Sequence, residues 1–253
     1  MKKRITLLFA MLAALVTTAM ADNVISAEPL KIAKSGLANL TINLTNDVRI
    51  RGLQFKVTLP EGFSGEATTD FISYQDGEDT KTYKPENAVK VYQTDRTTGI
   101  TVLGNKVSDS EYMFVLISMT AEAIDEGEGA IMKITFKTSS AVEVGGEYAV
   151  QIADIHLAQE AGDELTPAAI STDMSVLKKG DVNGDNKVNV TDCICVIDYI
   201  FKEPNEELFE TMVDVNSDKN VNVSDVISII DIIFGNPTQT RGDDDEYELQ
   251  DPD

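Results

Sequence analysis

Residues 181–192 and 214–225 are near-copies of one another, reading DVNGDNKVNVTD and DVNSDKNVNVSD and set 33 positions apart without a gap. Oxygen-bearing side chains recur at the same places in both. Position 1 is Asp181 or Asp214, position 3 is Asn183 or Asn216, and position 5 is Asp185 or Asp218. Position 9 is Asn189 or Asn222, and position 12 is Asp192 or Asp225. At position 7, held by Lys187 and Asn220, a backbone carbonyl is the ligand and the side chain is free to vary. Three carboxylates in one short turn repel each other unless a cation lies among them. A hard ion such as Ca²⁺ takes six to eight oxygens from one such segment. The repeat therefore predicts two bound Ca²⁺ ions and a small module whose folding depends on them.

This ligand order is that of an EF-hand loop. Position 12 is Asp rather than Glu in both copies, so its shorter arm requires a closer approach of the exiting helix. Position 6 normally needs glycine for a sharp turn. Asn186 tolerates left-handed backbone angles, but Lys219 does so at a cost of about 1–2 kcal/mol. The second loop is thus expected to bind more weakly. Each loop leads into an apolar run with helical spacing. Ile194, Ile197 and Phe201 match Ile227, Ile230 and Phe234 at i, i+3 and i+7. Thr191 and Ser224 are expected N-caps, and Gly235 is a stop. A short helix is expected over residues 205–212 between the two halves.

The N-terminus reads as a processing signal. Lys2, Lys3 and Arg4 precede an apolar run over residues 5–16, and Ala19-Met20-Ala21 is an A-x-A cleavage site. Residues 1–21 are therefore expected to be a signal peptide, with export beyond the cytoplasm, to the periplasm, the cell surface or the medium. Asp22, not cysteine, stands directly after the cleavage site, and the apolar run is too short to span a bilayer. The formal charge is −22, and loss of the three basic residues takes it to −25. Such a surface argues against nucleic acid and anionic membrane as partners. Residues 237–253 form a polar, acidic tail expected to be disordered; its Arg241-Gly242-Asp243 tripeptide is short enough to arise by chance.

Residues 22–177 alternate with the period of strands. Leu40, Ile42 and Leu44 alternate with Thr41 and Asn43. Leu53, Phe55, Val57 and Leu59 alternate with polar residues until Pro60. Further strand candidates lie at 89–94, 100–103, 112–119, 131–136 and 148–152. With Gly, Asn and Asp clusters between them, they predict a β-sandwich of roughly nine strands. No amphipathic helices separate them, so a parallel α/β fold is excluded.

The remaining chemistry is sparse. Cys193 and Cys195 stand two apart on one predicted helix, point to different faces, and are expected to stay unpaired. His156 is the only histidine, and neither GxSxG nor HExxH occurs. The chain is expected not to be an enzyme, although a glycosidase needs only two placed carboxylates. A glycan platform generally uses aromatic rings. The chain has no Trp, but Tyr74, Tyr83 and Tyr92 fall in one stretch.

Residues 180–235 resemble a type I dockerin. The resemblance rests on Gly180-Asp181-Val182-Asn183-Gly184-Asp185, on Asn189 and Asp192, and on the repeat over 214–225. It implies a calcium-dependent docking module, here residues 178–236, whose partner is a cohesin-bearing protein. It also implies that loop positions 10 and 11 (Val190, Thr191, Val223 and Ser224) and the following helices, with Asp198 and Asp231, carry recognition. The near-identity of the copies implies a two-fold pseudosymmetric surface, usable in either orientation. Residues 22–177 more loosely resemble cohesin and carbohydrate-binding sandwiches, in segments 40–46, 50–55 and 129–136. Such a fold would bind a dockerin or a polysaccharide.

Overall fold

The computed structural model describes residues 23–76, 78–120, 122–201, 210–216, 218 and 220–235. The expected signal peptide, the acidic tail, most of residues 205–212 and Lys219 lie outside them. The strands are β1 (Val24–Ala27), β2 (Leu30–Ala33), β3 (Leu37–Asn46), β4 (Ile50–Thr58), β5 (Phe63–Gly65), β6 (Ile72–Asp76), β7 (Asp79–Tyr83) and β8 (Ala88–Val89). They continue with β9 (Val91–Tyr92), β10 (Thr101–Lys106), β11 (Glu111–Ile117), β12 (Gly127–Thr138), β13 (Glu147–Gln159), β14 (Glu164–Leu165) and β15 (Ile170–Leu177). Helices α1 (Val190–Phe201), α2 (Glu210–Val213) and α3 (Val223–Ile233) follow.

The strands make a two-layer sandwich. One sheet has the order β1-β3-β12-β5, with β9 also on β12. The other runs β2-β15-β13-β4-β11-β10-β8, with β14 on β13. Pairing is antiparallel except between β2 and β15, the first and last strands of their sheet. The alternation read from sequence decides what faces inward. Leu40, Ile42, Leu44, Ile134 and Phe136 from one sheet meet Phe55, Val57, Phe114, Val150 and Ile152 from the other, all fully buried. Phe55 and Phe114 stack with centroids 5.4 Å apart. The described residues hold fifteen strands against the nine or so expected. The excess lies in pieces of two to four residues and in β6–β7, a two-stranded ribbon separate from both sheets.

A half-buried arginine closes one end of the sandwich. Arg96 donates from Nη1 to the Leu44 carbonyl (2.6 Å) and the Gly129 carbonyl (3.3 Å). Its Nη2 donates to Asn46 Oδ1 (2.7 Å) and to the Asp125 carbonyl (2.8 Å). The end of β3 and the start of β12 are thus tied through one planar cation. Arg96→Ala leaves these acceptors without their donor, and a loss of about 2–4 kcal/mol is expected in urea denaturation of the sandwich. Arg96→Lys should recover only part of that, because an ammonium cannot reproduce the fork.

Candidate functional site

The two calcium-type loops build one small module. Its core is Val182, Cys193, Val196, Val213, Val215, Val226 and Ile229. Val182 and Val215 both occupy loop position 2, so the repeat encodes the core as well as the ligands. Cys193 is buried, Cys195 is half-buried, and both are free thiols.

In the first loop, Asp192 is fully buried; its Oδ1 accepts from the Val182 and Asn183 N–H groups (2.8 and 3.2 Å) and its Oδ2 from Asn189 N–H (2.9 Å). Asp181, 2 % exposed, accepts from Asp185 N–H on Oδ1 (3.1 Å) and Asn186 N–H on Oδ2 (2.9 Å). Asp185 Oδ1 accepts from Lys187 N–H at 2.8 Å. The second loop repeats this pattern. Asp225, fully buried, accepts from Asn216 and Asn222 N–H (3.1 and 2.9 Å), Asp214 from Asp218 N–H (3.1 Å), and Asp218 from Asn220 N–H (2.8 Å). Asn183 and Asn216 accept through Oδ1 from the N–H two residues on (3.0 and 2.9 Å). Their amide NH₂ groups donate to Thr191 Oγ1 (3.2 Å) and Ser224 Oγ (2.8 Å). These two hydroxyls, expected on the partner surface, therefore also orient the position 3 amide.

One reading needs correction. Thr191 and Ser224 are not N-caps. The helices start two residues earlier than such caps would place them, at Val190 and Val223, and the position 9 asparagines cap them. Asn222 Oδ1 accepts from Ser224 N–H at 2.8 Å, and Asn189 Oδ1 from Thr191 N–H at 2.9 Å. A carboxamide oxygen at this position satisfies one of the helix's free N–H groups. Ile194, Ile197 and Phe201 recur at helical spacing on α1 as expected; they face solvent, as do Ile227 and Phe234, while Ile230 is half-buried. The inward face is Cys193 and Val196 on α1, and Val226 and Ile229 on α3. Gly235, with φ +72°, follows α3 as expected.

Both helices thus expose matching apolar stripes. Val190 is 65 % exposed and Phe201 79 %, against 60 % for Val223 and 75 % for Phe234. Thr191 is exposed, while Ser224, Asp198 and Asp231 are half-buried. Aliphatic and aromatic groups exposed in register on a small acidic module mark an interaction surface.

The donor set fits a hard cation. Among the described residues no Lys or Arg pairs with Asp181, Asp192 or Asp225, although all three are buried. Burial pushes the Asp181 carboxyl above its usual range; the Asn186 N–H opposes this and the Asp192 charge adds to it. Buried carboxylates facing one another without a counter-charge are costly. No three acidic, His or Cys side chains among the described residues converge into an ion cage by themselves. A cation held here would draw on amide oxygens and the position 7 carbonyl as well, in the order the sequence implies. Asn186 has φ +66° and Gly184 φ +71°, so the first loop makes its sharp turn with residues that tolerate it.

On the sandwich, His156 lies on β13 among carboxylates. Its Nδ1 meets Glu164, and next to it a bulge places Asp154, at φ +50°, 2.6 Å from Lys56 Nζ. Tyr74, Tyr83 and Tyr92 are all exposed, the first two on the β6–β7 ribbon.

Fold and site together define a β-sandwich joined to a paired-loop module of the calcium-binding kind. Residues 179–233 match the family described as the dockerin type I domain. No curated protein matches the chain. Among solved structures, the sixth cohesin of scaffoldin B from Acetivibrio cellulolyticus, crystallised with a dockerin, is similar at 11 % identity. It covers 60 % of this chain and 96 % of its own, with a TM-score of 0.46. A non-cellulosomal cohesin from Archaeoglobus fulgidus is similar at 11 % identity over 64 % of this chain and 96 % of its own, also with a TM-score of 0.46. The cohesin module of a family 33 glycoside hydrolase from Clostridium perfringens is similar at 7 % identity over 62 % of this chain and 98 % of its own, TM-score 0.43. Among the described residues no helix is long and apolar enough to cross a membrane.

Proposed function

We propose that this is a secreted, non-catalytic docking protein. Its dockerin module binds two Ca²⁺ ions and a cohesin on another protein, attaching the sandwich to an extracellular polysaccharide-degrading assembly. The observation that carries this is the duplicated apolar stripe on α1 and α3, standing directly after two loops of calcium-type donors. Asp181, Asn183, Asp185, Asn189 and Asp192 hold one ion with the Lys187 carbonyl. Asp214, Asn216, Asp218, Asn222 and Asp225 hold the other with the Asn220 carbonyl. The first site is the tighter, because Lys219 replaces the glycine that a sharp turn favours. Calorimetric titration should resolve two affinities, with the weaker one restored towards the stronger by Lys219→Gly.

The docking itself is tested by calorimetry of the full chain against a panel of cohesins, with calcium and with EGTA. Saturable binding in calcium alone supports the proposal; no binding to any cohesin sinks it. The exposed tyrosines favour a second reading for the sandwich, in which Tyr74 and Tyr83 stack on a glycan. Retention on immobilised polysaccharide, lost in Tyr74→Ala with Tyr83→Ala, would establish that role. Turnover of a polysaccharide would instead make the chain a glycosidase component.

A further inference from the structure

The two modules meet without a tether. Leu177, the last residue of β15, is buried, and so are Gly180, Asp181 and Val182. Of the connection only Lys178 is exposed. The Lys34 N–H donates to the Leu177 carbonyl (3.0 Å), and the Asp181 N–H donates to the Lys178 carbonyl (3.1 Å). The connection is thus a closed turn bonded to the end of the sandwich. On the module side, a β-carbon at Gly180 would lie 3.0 Å from Ile232 Cδ1 and 3.2 Å from Val188 Cγ1, so the turn is packed against the module core. On the sandwich side, a β-carbon at Gly184 would lie 3.0 Å from Lys31 Nζ, 3.6 Å from Lys31 Cδ and 3.8 Å from Leu177 Cδ1. Position 4 of the first loop therefore rests on β2 and β15. Helix α2 lies against β3 as a further contact. A flexible linker is polar and exposed, and few contacts cross it.

We infer that the first calcium loop is the joint between the modules, so that the ion fixing this loop also fixes the direction in which α1 and α3 face. Asp181 is both the last residue of the turn and the first ligand of the loop. An ion that draws Asp181, Asp185 and Asp192 together holds residues 181–192 in the shape that meets Lys31 and Leu177. Without it, mutual repulsion of the carboxylates loosens that shape and the contact with it. The inference rests on the calcium reading of the loops, not on the identity of the partner.

Backbone ¹⁵N relaxation of the full chain tests it. In saturating calcium the amides of both modules should report one common rotational correlation time, and EGTA should abolish it. Insertion of Gly-Ser-Gly-Ser between Lys178 and Lys179 keeps every ligand. In calcium it should leave the module's amide spectrum folded while splitting the common time in two. Two separate times for the unmodified chain in calcium overturn the joint, as does a common time that survives EGTA or the insertion. Module amides that ignore calcium altogether overturn the calcium reading as well.

Discussion

Removing calcium is expected to unfold the dockerin module while the sandwich stays intact. The module's buried apolar set is seven residues, six of them valine or cysteine with short side chains. A core this small supplies little, and domains of this size generally lean on metals or disulfides. Both cysteines are free, so no covalent staple substitutes for the ion. Three buried carboxylates, with no Lys or Arg partner among the described residues, then oppose folding in the absence of metal. Cys193, 5 % exposed, is a built-in reporter. Burial pushes its thiol pKa up, and the neighbouring Asp192 charge adds to this, so it should label slowly in calcium. In EGTA its labelling should accelerate at least tenfold, the factor that about 1.4 kcal/mol of lost binding energy brings. Helical circular dichroism should fall in parallel. Equal labelling rates in both conditions would mean that the fold is held by packing alone.

Within that result, Asp192 carries the largest single share. Its carboxylate accepts from three backbone N–H groups, at Val182, Asn183 and Asn189, and so closes the loop from both ends. Asp192→Ala strands these donors and removes a ligand, at a cost of about 3–5 kcal/mol. Asp192→Asn should cost less, since it keeps the shape and one acceptor oxygen. Thermal melts in saturating calcium provide the comparison.

The loops were legible because ligand chemistry is bound to spacing. Oxygen donors at positions 1, 3, 5, 9 and 12 of a doubled loop leave little else for those residues to do. The strands were legible for a similar reason: Leu40, Ile42 and Leu44 can share one buried face only with period two. The direction of the helix faces was not legible. Val190, Ile194, Ile197 and Phe201 form one apolar stripe and Cys193, Val196 and Ile200 another, and period alone does not rank two apolar faces. The counterpart positions Cys193 and Val226, beside the strictly repeated Val182 and Val215, held the clue that the smaller side chains face inward. The caps are hidden in the sequence because Asn189 and Asn222 have two uses: one carboxamide can cap a helix and stand at position 9. The joint at Lys31, Leu177 and Gly184 joins positions more than 140 residues apart in sequence, and no local pattern marks such a contact.

The exposed stripe leads to the second large effect. Exposed Ile194 and Ile227 occupy equivalent places on α1 and α3, half-way along each stripe. An aspartate at either keeps the helix, because the position is solvent-facing, but puts a charge where an apolar partner surface would have to cover it. Loss of a central interface residue costs about 2–4 kcal/mol, or roughly 30- to 800-fold in affinity. The repeat makes the outcome depend on number. If either stripe can engage the cohesin, Ile194→Asp or Ile227→Asp alone should weaken binding little, because the chain docks through the other copy. The double variant should lose binding by at least about a hundredfold. Its calcium affinity and melting temperature should match the unmodified chain, since neither residue belongs to the buried set. A single substitution that abolishes binding would assign the cohesin to one stripe only, and a double variant that binds normally would place the partner on another face.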